Sequence, residues 1–297
     1  MIKRRRLFSY SFLTKILFLT VTHFSIESYS QYLTGPVSSA TGGAGIAAND
    51  VAEQVLYNPA VLVHEKGVAV GYFYADGYRA ENEHDKFLAL SVTDNSSDAG
   101  VAGGVVIAKR RRTFDQAPSS DDWYGQFAFA TALFKKMSLG FSFEHIRHDF
   151  EGGEKLNQTD VTLGLFYNPL PTLGLGLVAR NLRERDLSVP VAYQLKDEIG
   201  IGGYYIFMRQ FRLRADLVQQ TEMNPDHEQN LKMGFESLFN SFLVLRAGFQ
   251  ADDLNDRQFY TLGFGFTGPR LQIDYGFAQN TEGSQGAMHS VDFRLPF

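Results

Sequence analysis

Two histidines, one run of small residues and a set of strand-borne charges are where this sequence could carry chemistry. His145 and His148 lie three apart in a segment that alternates as a strand. On a strand that spacing sends the two imidazoles to opposite faces, so they cannot share a metal. Gly43-Ala44-Gly45-Ile46-Ala47-Ala48 fits the G-x-G-x-x-A pattern of a dinucleotide site. That chemistry needs a preceding strand and a long following helix, and the flanking sequence supplies neither. No G-x-S-x-G, H-E-x-x-H or phosphate-loop pattern occurs in the sequence. The expectation is a protein that is not an enzyme, with no catalytic residues, no metal and no cofactor.

The elements that would position any site are strands. From Val68 onward fourteen segments alternate with period two, the pattern of a strand with two different environments. Leu139, Phe141 and Phe143 oppose Gly140, Ser142 and Glu144; Leu271, Ile273, Tyr275 and Phe277 oppose Gln272 and Asp274. The connections alternate as well. Short ones centre on Lys135-Lys136, Met208-Arg209 and Gly268-Pro269, while longer charged ones cover about 77–85, 112–121, 150–158, 182–196 and 280–288. Short turns at one end and longer loops at the other are the pattern of an outer-membrane barrel, and a soluble sandwich has no reason to show it. The chain ends on a strand whose outward face is Val291, Phe293, Leu295 and Phe297, an apolar set with an aromatic last residue. That arrangement looks like the closing strand and assembly signal read by a barrel-assembly machinery. The fold class predicted is therefore all-β: a transmembrane antiparallel barrel of about fourteen strands.

Opposite the lipid-facing residues lie Arg180, Arg212, Arg214, Asp216, Lys232, Glu236, Arg246, Asp274, Asp292 and Arg294. In a lumen these either pair with one another or line a polar conduit that filters solutes. Gly103-Gly104 on the third strand would permit a kink, or simply leave room for packing. The run Lys109-Arg110-Arg111-Arg112 falls at the outer end of the same strand, placed for outer-membrane lipid or lipopolysaccharide phosphate, or as a solvated rim. Tyr78, Trp123 and Tyr124 are expected in an outer aromatic girdle, and Phe134, Tyr167, Phe207 and Phe239 in an inner one.

Composition agrees. The first thirty of 297 residues carry a basic Lys3-Arg4-Arg5-Arg6 run, an apolar stretch split by Lys15, and a Ser28-Tyr29-Ser30 cleavage pattern, which reads as a secretory signal. Removing residues 1–30 takes away five cations and one anion, so the net charge falls from −5 to −9. An exported acidic chain is a poor nucleic-acid binder. With no cysteine, no disulfide scaffold is available. There are 26 Phe and 14 Tyr, yet mean hydropathy is −0.18, as expected when half of every strand is polar.

Between the signal and the first strand, residues 31–66 differ in texture. Small residues over 38–48 include Gly42, Gly43 and Gly45; a short helix capped by Asn49 or Asp50 is expected over 51–56, and Asn58-Pro59-Ala60-Val61-Leu62 follows. This Gly-Gly-Ala-Gly, Asn-Asp and Asn-Pro-Ala-x-Leu order resembles the amino terminus of FadL-like outer-membrane transporters and their PorV-like relatives. The resemblance implies a plug over 31–66 inside a barrel over 67–297, with Gly42, Gly43, Gly45, Asn58, Pro59 and Ala60 as its motif. It also implies passive uptake of hydrophobic or amphipathic small molecules or, as in the PorV-like branch, a partner-binding barrel serving a secretion system. In that family a kink in the third strand opens the wall sideways.

Overall fold

The structure is a computed structural model, and it describes residues 33–297 apart from 50–51, 65, 81–82, 97–99, 116–117, 184–185, 187, 191–192, 221–228, 241, 254–256 and 282–285. The proposed signal, residues 1–30, lies outside the described residues. Two short helices, α1 (Pro36–Ala40) and α2 (Gln54–Tyr57), and a 3₁₀ helix (Pro59–His64) precede the sheet. The strands then run β1 (Gly67–Ala80), β2 (Glu83–Asn95), β3 (Val101–Phe114), β4 (Ser120–Phe134), β5 (Met137–Phe150), β6 (Lys155–Leu170) and β7 (Leu173–Arg180). They continue as β8 (Glu198–Phe207), β9 (Phe211–Gln220), β10 (Gln229–Phe239), β11 (Leu243–Asp252), β12 (Arg257–Thr267), β13 (Gln272–Asn280) and β14 (Ala287–Pro296).

Each strand pairs antiparallel with its neighbours in sequence, and β1 pairs with β14 from Ala69↔Pro296 to Gly77↔Met288 to close the barrel. Phe297 completes the seam, its backbone exchanging hydrogen bonds with Val68 at 2.7 and 3.3 Å. The strands therefore number fourteen, as the alternation predicts. Several are longer than predicted: β1 and β2 leave only 81–82 between them, where a nine-residue loop is expected. The ladder continues into polar residues beyond the apolar band, where the hydrophobic period fades but backbone pairing does not.

The outside of the barrel is exposed and apolar, carrying Leu90, Ile107, Phe127, Phe141, Ile201, Leu262, Phe264 and Phe293. Water would not tolerate that surface, and a hydrocarbon layer suits it, so this is a membrane-spanning barrel. Val291, Leu295 and Phe297 face outward with Phe293, while Asp292 and Arg294 are buried inside. Of the aromatic girdle residues, Tyr78, Trp123, Phe134, Tyr167 and Phe239 are exposed. Tyr124 is not among them: it is buried in the lumen, one residue out of phase with Trp123, and its hydroxyl meets Gln126 and Glu144 at 2.8 and 3.0 Å.

Residues 33–49 and 52–64 pack against the inner faces of the strands. Inward glycines make room for them. A Cβ on Gly104 would meet the Val55 side chain at 2.5 Å, one on Gly176 the Ile46 carbonyl at 2.6 Å, and one on Gly276 the Pro36 carbonyl at 2.6 Å. At Gly140 and Gly248 the obstacle would be backbone of Pro59-Ala60 and of Thr41-Gly42. Backbone cannot rotate aside, so overpacking there costs on the order of 1–3 kcal/mol or expels the segment. Gly248→Val is expected to release residues 33–48 without unfolding the barrel. Limited proteolysis would then cut within 33–48 in the variant only, with heat-modifiable gel migration of the barrel retained.

Candidate functional site

The N-terminal segment is fixed by a few side chains that replace strand pairing. Asn58, fully buried, donates through Nδ2 to the Ile46 carbonyl at 2.9 Å and the Leu165 carbonyl of β6 at 3.2 Å, and accepts from Ala60 N at 3.1 Å. Pro59 opens the 3₁₀ helix, where its missing N–H leaves no donor to satisfy. Gly42 and Gly43 sit at φ +66° and +80°, and Gly42 approaches the carbonyls of Met233 and Phe249 too closely for a side chain. Gly42 N donates to Thr261 Oγ1 at 2.9 Å, and Gly45 N and Ile46 N both donate to Asp216 Oδ2, at 2.6 and 2.9 Å. Arg180 holds the Tyr57 carbonyl at 2.7 Å. The expected helix over 51–56 begins later, at Gln54, with no side-chain cap; Asp50 lies outside the described residues. Glu53 instead turns back to α1 and accepts from Val37 N, Ser38 N and Ser38 Oγ at 2.8–3.1 Å.

The lumen has two unlike walls. Around β9–β14 it is ionic. Arg214 Nη2 meets Glu236 at 2.6 Å, Glu236 meets Arg246 at 3.0 Å, and Arg246 reaches Asp274, which in turn holds Arg294; Arg294 also meets Asp292 at 3.2 Å. Arg212 joins at Glu236, 3.5 Å away. Sequence expectation placed these residues in the lumen, and the structure links seven of them into one chain of charges around half the circumference. Arg246 on β11 reaches Asp274 on β13 across β12 because Gly265 presents no side chain: a Cβ there would overlap Asp274 Oδ1. Asp216 serves the N-terminal segment and Lys232 lines a cavity beside Gly43. The other wall, β1–β5, carries an apolar patch, where Phe73, Phe87, Val106, Ala128 and Ile146 pack with Val55, Leu56 and Leu62, alongside buried polar side chains such as Asp85, Arg110, Asp122 and Glu144. This wall was missed in the sequence. Its signal was present: strands such as Val101–Phe114 carry apolar residues on both faces, and only one face can meet lipid.

Cavities lie on both sides of the N-terminal segment. One of about 90 Å³ toward the long-loop end is lined by Phe87, Phe259 and Met288 together with Lys232, Asp252 and Arg257. One of about 340 Å³ toward the short-turn end is lined by Arg212, Glu236, Arg246, Gln272 and Arg294.

Two expectations about β3 are corrected. The run at 109–112 does not present four cations outward. Lys109 and Arg111 are exposed, Lys109 lying 5.6 Å from the Trp123 ring centroid, but Arg110 and Arg112 are buried. Strand alternation turns every second side chain inward, and there Arg110 meets Asp85 at 2.8 Å and Arg112 meets Asp122 at 2.6 Å. Nor is β3 kinked at Gly103-Gly104. Its pairing with β2 and β4 runs through both residues with no register shift. Gly104 is small because Val55 fills the space before it. His145 is exposed and His148 buried, on opposite faces as their spacing requires. Among the described residues no cluster of three or more His, Cys, Asp or Glu is arranged to hold a metal.

At the long-loop end, Val189, Tyr193 and Leu195 of the connection after β7 are buried. His148 Nδ1–H donates to Asp122 Oδ1 at 2.8 Å, which leaves Nε2 to accept from Gln158 Nε2 at 2.7 Å. Gln158 also donates to the Tyr193 carbonyl at 2.8 Å and accepts from Leu195 N at 3.3 Å. Val189 and Tyr193 thereby pack on Phe114 and Phe150. Burial pushes the Tyr193 phenol up, opposed by the adjacent Arg112, so it stays a neutral donor.

Glu236 is a partner of Arg212, Arg214 and Arg246 at once, and removing one partner of a buried ion pair costs about 3–5 kcal/mol. Glu236→Ala is therefore expected to lower the thermal unfolding midpoint markedly. Arg212→Ala, which removes the most exposed member of the chain, should lower it far less in the same calorimetric scan.

No protein-family model matches the chain, and no curated protein matches it in sequence. Solved structures do. A CymD monoaromatic hydrocarbon channel superposes with a TM-score of 0.70 at 14% identity, covering 91% of this chain and 99% of that one. The Ralstonia pickettii toluene transporter TbuX gives 0.67 at 13% identity, covering 93% and 100%. A Pseudomonas aeruginosa FadL homologue gives 0.63 at 12% identity, covering 90% and 100%. Fourteen antiparallel strands closed on themselves, with these neighbours, give the chain the fold of a FadL-like outer-membrane β-barrel.

Proposed function

We propose that this protein is an outer-membrane channel for passive transport of small hydrophobic or amphipathic molecules, with residues 31–66 as a plug that gates it. The observation that carries the reading is the two-walled lumen. A solute with an apolar body and a polar end finds Phe87, Phe259 and Met288 together with Lys232, Asp252 and Arg257 lining one cavity. Cavities on either side of the plug mark the two halves of the path. The unbroken ladder of β3 removes the strand-3 kink as a lateral exit, so the plug is the barrier to move. Asp216 is the natural latch, because one carboxylate oxygen holds two plug amides in charge-assisted hydrogen bonds.

The same reading assigns the termini and rim. Residues 1–30 direct export and are removed, and the Val291–Phe297 strand is recognised by the barrel-assembly machinery. Lys109 and Arg111, above Trp123, contact lipid headgroups at the outer rim.

Planar bilayers test the gate. The mature protein is expected to show low conductance and Δ31–64 a large open conductance. Asp216→Ala should fall between, as flickering openings at a tenfold or greater higher open probability. A Δ31–64 barrel that conducts no more than the intact one, while still migrating as a folded barrel, would overturn the plug assignment.

A further inference from the structure

The Tyr193 ring sits in a cage. Arg112 lies over its face with the guanidinium carbon 4.1 Å from the ring centroid. Phe150, His148 and Phe114 meet it edge to face, with centroids 4.8, 5.4 and 5.8 Å away and interplanar angles of 86°, 71° and 81°. The phenol hydroxyl donates to the Pro118 carbonyl at 2.5 Å, and Tyr193 is fully buried. Three edge contacts, one cation over the face and one acceptor for the hydroxyl describe a receptor for a phenolic ring. The ring comes from the connection between β7 and β8 rather than from a strand. When Tyr193 is withdrawn, the cage stands empty.

We infer that this cage is a binding site for small phenols, occupied in the closed state by Tyr193 as an internal ligand. The inference rests on the channel reading for its route, since it places the site at the outer entry of the proposed path. The aromatic and cationic walls come from β3 and β5, and the hydroxyl acceptor, Pro118, from the connection between β3 and β4, so none of the cage comes from the connection that carries Tyr193. Gln158 is the clip: its amide holds the Tyr193 carbonyl and Leu195 amide while touching no part of the Tyr193 ring. An internal ligand reduces apparent affinity by the fraction of time the site is free, so removing it or loosening its clip strengthens binding. A hydroxyl-bearing ring is preferred to the bare hydrocarbon because it alone satisfies the Pro118 carbonyl, a difference on the order of tenfold.

The experiment is equilibrium dialysis of radiolabelled p-cresol and toluene against the mature protein in detergent, with p-cresol uptake into proteoliposomes read separately. Tyr193→Ala is expected to bind p-cresol about tenfold or more tightly than wild type, and to prefer it to toluene. Gln158→Ala should shift affinity in the same direction; it removes the clip and the His148 Nε2 partner but no ring of the cage, and so serves should Tyr193→Ala fold poorly. Phe150→Ala added to Tyr193→Ala should abolish the gain. Folded barrels are verified by heat-modifiable migration. Unchanged p-cresol affinity in folded Tyr193→Ala and Gln158→Ala overturns the cage, whether or not wild type transports. A tenfold gain without uptake by any form upholds the cage and overturns the channel reading instead.

Discussion

A closed sheet of fourteen strands encloses more space than its own side chains can fill. Everything inside this barrel follows from that excess. The space is filled by backbone from residues 33–49 and 52–64, and backbone needs partners for its amides and carbonyls once it leaves water. Asp216, Asn58, Thr261 and Arg180 supply them from the strands and from the segment itself. Close approach of one backbone to another demands the absence of Cβ atoms, so glycines recur on the inward faces wherever the segment passes. The glycine content is thus set by the filling of the barrel as much as by turns.

The asymmetry of the lumen has the same origin. Where α2 and the 3₁₀ helix press against the strands from β2 to β6, Val55, Leu56 and Leu62 meet inward apolar side chains. Along β9–β14, long cationic side chains meet carboxylates from neighbouring strands. Buried charges persist only when paired, and the Glu236–Arg246–Asp274–Arg294 chain pairs each with two or more neighbours. Gly265 shows how finely this is specified, since one methyl group there would part Arg246 from Asp274. At the outer mouth the same economy recurs, with Tyr193 filling an aromatic cage that strand residues have already built.

The sequence alone determined the strand count, the closing strand, the inward placement of the ten lumen charges and the opposite facing of His145 and His148. Each of these is read from a period of two, which the chain cannot hide because lipid lies on one side of every strand. Strand ends were less legible, since β1 and β2 continue past the apolar band where no hydrophobic contrast marks them. The phase of residues 109–112 and of Tyr124 was in the pattern but was obscured by runs of like residues. Only the tertiary structure decided that Arg110 and Arg112 turn inward to Asp85 and Asp122, that Gly104 yields space to Val55 rather than bending β3, and that Tyr193 reaches Arg112. Those outcomes depend on residues tens of positions apart meeting across the lumen, and a local period carries no record of which inward residues face one another.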